Sequence, residues 1–428
     1  MSQERIQAYT KVMGVDPERA LPEIEPVAVL GSKVFSAEKL LLARMMECLG
    51  NPPLDLVLWD GQEIVSIARP ALARVLIRDR GALLKLIANP ELGFGEMYTA
   101  ERVEVQGNLV DCLEAIYRAL PRNDHAQIGK RLLAPFNGSL RNTQPKARRN
   151  IHHHYDIGNA FYKLWLDRNM VYTCAYFPDP AMELELAQTA KLDYVCRKLR
   201  LEPGETVLET GCGWGALALH MARHYGAEVK AYNISKEQIA YARAAALEQG
   251  LDGRVQFIED DYRNVSGEFD AFVSVGMLEH VGINQYRALG EVMQRSLKAG
   301  GRGLIHSIGR DRPSGMTPWI ERNIFPGACP PSLSQMTQLF EPFGFSVLDV
   351  ENLRLHYAKT LEHWLARYEA NIERVASMFD PAFVRAWRLY LAGSLAAFRS
   401  GDMQLFQVSF ARSGHNQIPW TRQYLYQG

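Results

Sequence analysis

The chain has 428 residues, which exceeds one ordinary domain and predicts about two to three. Hydrophobic residues make up 47% of it, enough for packed cores, so an intrinsically disordered chain is excluded. Lys plus Arg and Asp plus Glu both total 48, which removes any whole-protein argument for nucleic-acid binding. We therefore expect no nucleic-acid partner.

The start of the chain and its cysteines narrow the class of protein further. Residues 1–8 are polar and charged and contain no apolar core of an export signal. No run reaches the roughly 18 apolar residues of a membrane span. The six cysteines are scattered without C-x-x-C spacing, so neither a zinc cluster nor a disulfide framework is predicted. We expect a cytoplasmic protein.

Residues 1–124 are predicted to form a small α+β domain. The turn-forming pair Asp60-Gly61 separates two β-rich runs, which is typical of a hairpin. The segment contains no catalytic constellation, and we expect it to serve as a scaffold, a lipid contact or the contact of a homodimer. The predicted strands are 54–59, 63–67 and 102–106, and the predicted helices are 70–89 and 109–120.

Residues 125–150 form a predicted basic linker that contains no acidic residue. A solvated hinge and a peripheral contact with an anionic membrane surface both fit, and each basic residue would contribute about 1 kcal/mol to the membrane contact. The three histidines at 152–154 would converge poorly on one ion in a strand or a helix, so no metal is predicted. The basic residues of the linker are Lys130, Arg131, Arg141, Lys146, Arg148 and Arg149.

A glycine-rich turn organises the rest of the chain. An apolar strand over 206–210 stops at Glu209-Thr210, turns through Gly211-Cys212-Gly213-Trp214-Gly215 and enters a helix. Glycine has no Cβ, so such a turn brings backbone amides close to a ligand of the nucleotide type. Two interpretations stay open on the turn alone. One is a dinucleotide site with Glu228 as the ribose acid, and the other resembles class I S-adenosylmethionine methyltransferases, with Glu209 before the turn.

Strands and helices alternate after the turn, which predicts a mostly parallel sheet within a domain over 151–428. Ser235 and Gln238 predict a capping box at one helix start. Helical inserts over 318–342 and 360–400 are rich in aromatic residues and suit a core or an apolar channel above a pocket. Ligands bind beyond the carboxyl ends of such strands. The residues that fall there are Glu209, Asn233, Asp261, Glu279 and His306.

Several ordered motifs together resemble the cyclopropane-fatty-acyl-phospholipid synthases over roughly residues 145–412. The motifs are His154-Tyr155-Asp156, Tyr172-Thr173-Cys174-Ala175-Tyr176, Gly211-Cys212-Gly213-Trp214-Gly215, Ser235 with Gln238, Asp261-Tyr262-Arg263, Ser274-Val275-Gly276-Met277-Leu278-Glu279-His280-Val281-Gly282, His306-Ser307-Ile308-Gly309 and His356-Tyr357. The resemblance implies an α/β fold of the class I methyltransferase type, with a seven-stranded, mostly parallel sheet. It also implies S-adenosylmethionine as cofactor and, as substrate, the cis double bond of an unsaturated membrane phospholipid.

The resemblance carries site residues over position by position. Three positions depart from the usual pattern, since Glu209 stands where Asp is usual, Thr173 where Ser is common and Asn233 where Thr is common. Each keeps a hydrogen-bonding group. The implied cofactor-binding residues are Tyr172, Thr173, Glu209, Gly211, Gly213, Asn233, Ile234, Gln238, Asp261, Tyr262 and Arg263. A bicarbonate ion, used as the base, would be held by Cys174, Glu279, His306, Tyr357 and the backbone of Ile308.

The chemistry explains why such residues would be needed. An isolated alkene is a poor nucleophile, so the reaction demands an electrophilic methyl group, and the resulting carbocation must be kept from water. Ring closure then requires removal of a proton. A runner-up activity transfers the methyl group and stops at a branched or methylene lipid, and a third interpretation is an inactive lipid- or cofactor-binding protein.

Overall fold

The structure is a computed structural model that describes residues 35–68, 70–120 and 157–426. The strands are β1 (Leu54–Leu58), β2 (Glu63–Ile64), β3 (Ala73–Ile77), β4 (Val103–Gly107), β5 (Thr206–Thr210), β6 (Glu228–Asn233), β7 (Val255–Glu259), β8 (Phe269–Val275), β9 (Leu297–Arg310), β10 (Phe345–Asn352) and β11 (Met403–Arg412). The α-helices of the described residues are α1 (Ser36–Cys48), α2 (Arg80–Ala88), α3 (Pro90–Thr99), α4 (Leu109–Ala119), α5 (Asn159–Tyr162), α6 (Leu184–Leu199), α7 (Ala216–Tyr225), α8 (Lys236–Glu248), α9 (Leu278–Val281), α10 (Tyr286–Ser296), α11 (Pro318–Asn323), α12 (Leu333–Met336), α13 (Arg354–Ala370), α14 (Ile372–Met378) and α15 (Pro381–Ser400).

These elements form two compact units. The first contains a four-stranded sheet in the order β2-β1-β3-β4, in which only β1 and β3 run parallel. The predicted hairpin is present, because β1 and β2 pair antiparallel across Asp60-Gly61. A core of buried side chains from the sheet and its helices, including Leu56, Val75 and Leu83, holds this unit together.

The helix predicted over 70–89 is wrong in its first half. Ala73–Ile77 is instead the inner strand β3, which pairs with β1 and β4, and four of its five residues are buried. A short apolar run buried on both faces loses the strand alternation and cannot be told from a helix by its pattern alone. The helix begins only after Asp79, whose side chain accepts a hydrogen bond from the Ala82 backbone N–H.

The first unit also includes residues 372–400, which the sequence boundaries assign to the domain over 151–428. The cause is the packing of α15 against α3 and α4. The Arg385 guanidinium of α15 lies 4.1 Å from the ring centroid of Tyr98, and its Nε donates to the Tyr98 carbonyl at 2.7 Å. Its second amino group donates to Glu104 at 3.0 Å. These are attachments of one helix to partners far away in the sequence.

The second unit contains a seven-stranded sheet in the order β10-β11-β9-β8-β5-β6-β7. The five strands from β9 to β7 are mutually parallel, and β11 is antiparallel to both of its neighbours. The predicted mostly parallel α/β sheet is therefore confirmed. Successive residues of the central strands alternate between two cores, as at Val207 and Leu208, so helices cover both faces.

Candidate active site

A pocket lies at the carboxyl ends of β5, β6, β7 and β8 in the second unit. Glu209 reaches it from the end of β5, Asn233 from β6, Asp261 from the turn after β7 and Gly276 from the turn after β8. In a parallel sheet all these ends lie at one edge, where the backbone turns away and leaves room for a ligand. This is the edge at which the sequence predicts the site.

All eleven residues predicted to contact the cofactor line this one pocket. The insert predicted over 318–342 also contributes, because Phe325 and Pro326 belong to the lining. The eleven are Tyr172, Thr173, Glu209, Gly211, Gly213, Asn233, Ile234, Gln238, Asp261, Tyr262 and Arg263.

The predicted capping box of Ser235 and Gln238 is only half formed. The Ser235 hydroxyl accepts from the Gln238 backbone N–H at 3.4 Å, but the Gln238 side chain does not return to the Ser235 backbone. Instead its Oε1 accepts from Asn233 Nδ2 at 2.7 Å. The same Asn233 amide donates to the Gly213 carbonyl at 3.3 Å. The Gln238 side chain is therefore part of the pocket wall. Asn233 connects it to the glycine turn by hydrogen bonds to both.

Asp261, Tyr262 and Arg263 form another wall. Arg263 Nε and Nη2 donate to the two carboxylate oxygens of the buried Asp261 at 2.7 and 2.8 Å. This paired arrangement fixes both side chains. The guanidinium carbon lies 5.3 Å from the Tyr262 ring centroid. The wall therefore presents flat groups with their charges neutralised, which suits an aromatic base better than an ionic ligand.

Tyr172 is held in a cluster of aromatic rings. Its ring centroid lies 5.5 Å from Tyr162, 5.2 Å from Trp165 and 5.3 Å from Trp364. Tyr162 also lies 5.0 Å from Trp214 of the glycine turn. Sequence reasoning missed Tyr162 and Trp165. Such a cluster keeps water out, and its ring faces attract positive charge.

Glu279 is buried beside the strand β9 and does not line the pocket itself. The Ser307 hydroxyl donates to its Oε2 at 3.0 Å. Burial raises the pKa of Glu279 to about 7, although hydrogen bonds from its own backbone, from Ser307 and from the backbone of Ile308 act to lower it. The structure therefore brings together two of the predicted bicarbonate residues, Glu279 and Ile308. A carboxyl group with this pKa changes its charge near neutral pH.

The other three predicted bicarbonate residues have partners of their own. His306 Nδ1 lies 3.0 Å from the amide nitrogen of Gln407, and burial holds the pKa of His306 well below its usual range. The Cys174 thiol is fully buried and bonds to the carbonyl of Ala175, and burial raises its pKa, as expected for an unreactive thiol. Tyr357 packs edge-on against Trp364 at 5.8 Å.

Lys191 also lines the pocket, and sequence reasoning missed it. Only 2% of this lysine is exposed, and its Nζ donates to Thr173 Oγ1 at 2.9 Å. A signal was present, because Ala187, Lys191 and Val195 follow at four-residue intervals on the buried face of α6. A lysine in the middle of an apolar helical stripe is rarely buried without a reason.

The family model described as mycolic acid cyclopropane synthetase matches residues 142–408, more than half of the chain. The chain belongs to this family. The resemblance inferred from the ordered motifs is thereby confirmed, and so is an enzyme of the S-adenosylmethionine-dependent methyltransferase class.

The sequence similarity between this cyclopropane synthetase family member and its relatives covers most of the chain. It is 37% identical over 357 residues to the cyclopropane-fatty-acyl-phospholipid synthase of Escherichia coli, covering 83% of this chain and 92% of that protein. It is 36% identical over 389 residues to a probable fatty acid methyltransferase of Pseudomonas putida, covering 87% of this chain and 96% of that protein. Both matches are too long to arise from the glycine turn alone.

A solved structure confirms the fold of this family member. The crystal structure of the mycolic acid cyclopropane synthase CmaA1, complexed with SAH and CTAB, matches with a TM-score of 0.59 and 30% identity. The match covers 62% of this chain and 98% of that one. The predicted class I methyltransferase architecture is therefore correct.

Proposed function

We propose that the chain transfers a methylene carbon from S-adenosylmethionine to the cis double bond of an unsaturated phospholipid acyl chain, forming a cyclopropane ring. One observation carries the proposal. The pocket at the strand ends gathers all eleven predicted cofactor residues, and the turn after β8 that lines it continues into the buried Glu279. The same turn of the backbone thus lines the proposed cofactor pocket and positions Glu279, a group that can take part in proton transfer.

The residues present fit S-adenosylmethionine. Glu209 is 2% exposed, and its Oε2 has no hydrogen-bond partner among the described residues, so it can accept from a ligand ammonium. A Cβ at Gly213 would meet nothing within 4 Å, so the backbone there leaves room for a ligand. When bound, this cofactor supplies a methyl group on a positively charged sulfur. Among the relatives, CmaA1 was crystallised with SAH.

The residues also fit bicarbonate as the base. In the Gln407 orientation of this structure the amide nitrogen donates to His306 Nδ1, so the neutral imidazole carries its proton on Nε2. That N–H can donate to an anion oxygen. An ionised Glu279 would accept a hydrogen bond from the hydroxyl of the anion, and Tyr357 would supply a further donor. Bicarbonate, when bound, supplies the base for ring closure.

The aromatic cluster gives this chemistry a dry site. Tyr172 lines the pocket, and Tyr162, Trp165 and Trp364 are buried behind it. Exclusion of water protects a positively charged acyl chain from capture by a hydroxyl group. Each ring face close to a cation contributes roughly 0.5–2 kcal/mol of attraction. The cluster therefore favours ring closure over hydration.

A second candidate function is transfer of a methyl group without ring closure. The similarity to the probable fatty acid methyltransferase of Pseudomonas putida, over 87% of this chain, favours it. The resulting carbocation would then lose a proton, giving a methylene acyl chain if the proton leaves the new methyl group and a methyl-branched, unsaturated chain if it leaves a neighbouring chain carbon. It needs the same cofactor pocket, so the product alone separates the two functions.

The test is product analysis with a labelled cofactor. The full-length protein is incubated with S-adenosylmethionine carrying a CD3 methyl group and vesicles of an unsaturated phospholipid, and the acyl chains are analysed by mass spectrometry before and after ozone treatment. Cyclopropanation retains two of the three deuterium atoms and gives a chain that ozone does not cleave. Retention of all three deuterium atoms indicates a methyl branch. Retention of two deuterium atoms in a chain that ozone does cleave indicates a methylene chain. If the lipid is unchanged, the remaining interpretation is an inactive lipid- or cofactor-binding protein.

Access to the lipid is a separate proposal. None of the described helices is both long and apolar enough to cross a bilayer. The basic linker and the three neighbouring histidines lie outside the described residues, so peripheral contact of the linker with an anionic membrane rests on the sequence. If that contact exists, binding to anionic vesicles weakens as salt rises, because exposed charges are screened. Salt-independent binding would contradict it. The homodimer stays a prediction.

A further inference from the structure

A buried lysine of helix α6, Lys191, lines the pocket. The Lys191 side chain is 2% exposed, and among the described residues its only hydrogen-bond partner is the Thr173 hydroxyl at 2.9 Å. An ammonium has three N–H donors, so this bond leaves two of them unused. Lys191 makes no ion pair with any carboxylate of the described chain. The neighbouring buried lysine of the same helix, Lys198, is by contrast paired with Glu351 at 2.6 Å.

A buried carboxylate faces the same pocket. Glu209 is also 2% exposed, and its Oε2 has no partner among the described residues. The two groups interact electrostatically. Burial raises the pKa of Glu209 to about 8, and the positive charge of Lys191 acts to lower it. They nevertheless do not form an ion pair. The lining of the pocket thus contains one ammonium and one carboxyl group whose hydrogen-bonding capacity the described residues do not fill.

Such a pair is costly unless a ligand completes it. Moving an ion out of water is unfavourable, and only a close partner of opposite charge offsets that cost. The methionine half of S-adenosylmethionine is a zwitterion, with one carboxylate and one ammonium. Its charges are the complement of those that Lys191 and Glu209 present.

We propose that Lys191 binds the carboxylate of the methionine half of the cofactor, while Glu209 faces its ammonium group. The inference rests on the proposed function and adds a residue to the cofactor site. The hydrogen bond to Thr173, itself part of the lining, directs the ammonium into the pocket. Lys191 is a binding residue in this assignment and takes no part in bond making.

The rival role for Lys191 is to hold bicarbonate. Its positive charge acts to lower the pKa values of Cys174 and His306, two of the predicted bicarbonate residues. The lining of the pocket favours the cofactor, because it includes Lys191 and Glu209 but none of the five predicted bicarbonate residues.

The test compares two ligands that differ by one group. Binding of S-adenosylhomocysteine and of its decarboxylated analogue is measured by calorimetry on the full-length wild type and on Lys191→Met. The substitution is expected to weaken binding of S-adenosylhomocysteine about 10- to 100-fold, as for other hydrogen bonds between charged groups. It should change binding of the analogue by less than about threefold, since the analogue has no carboxylate to lose.

The matched control is Lys198→Met, which removes a buried ammonium from the same helix outside the pocket lining. It is expected to lower the melting temperature and to leave the affinity for S-adenosylhomocysteine unchanged. Should Lys191→Met not fold, the double variant Lys191→Met/Glu209→Gln removes both charges. It is then expected to lose affinity for S-adenosylhomocysteine and to keep affinity for 5′-methylthioadenosine, which carries neither charged group.

Two outcomes overturn the assignment. Equal weakening of S-adenosylhomocysteine and the decarboxylated analogue would show that Lys191 only maintains the shape of the pocket. Unchanged binding of both, with a higher bicarbonate requirement in turnover, would assign the lysine to the anion. Failure of the proposed function is measured separately, in the product analysis with the labelled cofactor, because an enzyme that transfers the methyl group without closing the ring would still bind both ligands.

Discussion

Replacing Glu279 by Gln is expected to lower kcat at least about 100-fold, the low end for loss of a group that handles a proton in the reaction. The affinity for S-adenosylhomocysteine should change by less than about threefold. The reason is spatial. Glu279 contacts Ser307 and the backbone of Ile308 and does not line the cofactor pocket. The amide keeps the shape of the side chain but loses one acceptor oxygen and the negative charge.

The pH dependence gives the same variant a second signature. Burial raises the pKa of Glu279 to about 7, so the group is largely protonated and uncharged below that pH. A protonated carboxyl cannot accept the anion's hydroxyl proton in the assigned way. kcat/KM of the wild type should therefore fall as the pH is lowered through about 7, and the residual activity of Glu279→Gln should lack this limb.

The control is Glu259→Gln at the exposed end of β7, which makes the same chemical change at the same edge of the sheet but away from Glu279. It should leave turnover and its pH profile unchanged. Equal loss of turnover and cofactor affinity in Glu279→Gln would contradict the separation of the two sites. Persistence of the acidic limb in that variant would assign the titration to another group.

The second large effect is expected at Gly215. Its φ of +89° is in the left-handed region, and a Cβ there would lie 2.6 Å from Phe257 Cζ and 2.9 Å from the Ala242 Cβ. Phe257 is buried in the core under α7 and α8 and cannot move freely. Gly215→Ala combines backbone strain with overpacking and should lower the free energy of unfolding by about 2 to 4 kcal/mol.

Gly213→Ala is the matched control in the same turn. Its φ is +55°, but a Cβ there would meet nothing within 4 Å. Only backbone strain remains, so the free energy of unfolding should fall by about 1 kcal/mol. The added methyl group enters the pocket, and affinity for S-adenosylhomocysteine should fall by about tenfold or more. Chemical denaturation and calorimetry measure the two effects. Equal destabilisation by both substitutions would contradict this account of the turn.

Much of the catalytic unit could be predicted because its signals are local. The glycine turn after β5 and the strand-helix alternation predict a parallel sheet, and the carboxyl ends of its strands predict the edge where Glu209 and Asn233 lie. The order of elements is enough for this. No knowledge of side-chain packing is needed.

The parts that sequence reasoning missed depend on contacts that the local sequence pattern does not specify. β3 is a strand because it pairs with β1 and β4, and its own pattern does not distinguish it from a helix. The Gln238 side chain turns to Asn233 rather than to its own helix start, and residues 372–400 join the first unit through Arg385. The burial of Lys191 likewise depends on what packs over α6. None of these partners is adjacent in the sequence.

The most direct measurement is a crystal structure of the protein with S-adenosylhomocysteine and bicarbonate. The proposed function predicts the cofactor product in the pocket at the ends of β5 to β8, with its carboxylate on Lys191. It also predicts a planar anion that contacts Cys174, Glu279, His306, Tyr357 and the Ile308 backbone N–H. A structure in which the side chains of Glu279, His306 and Tyr357 point to separate places, with no anion between them, would contradict it.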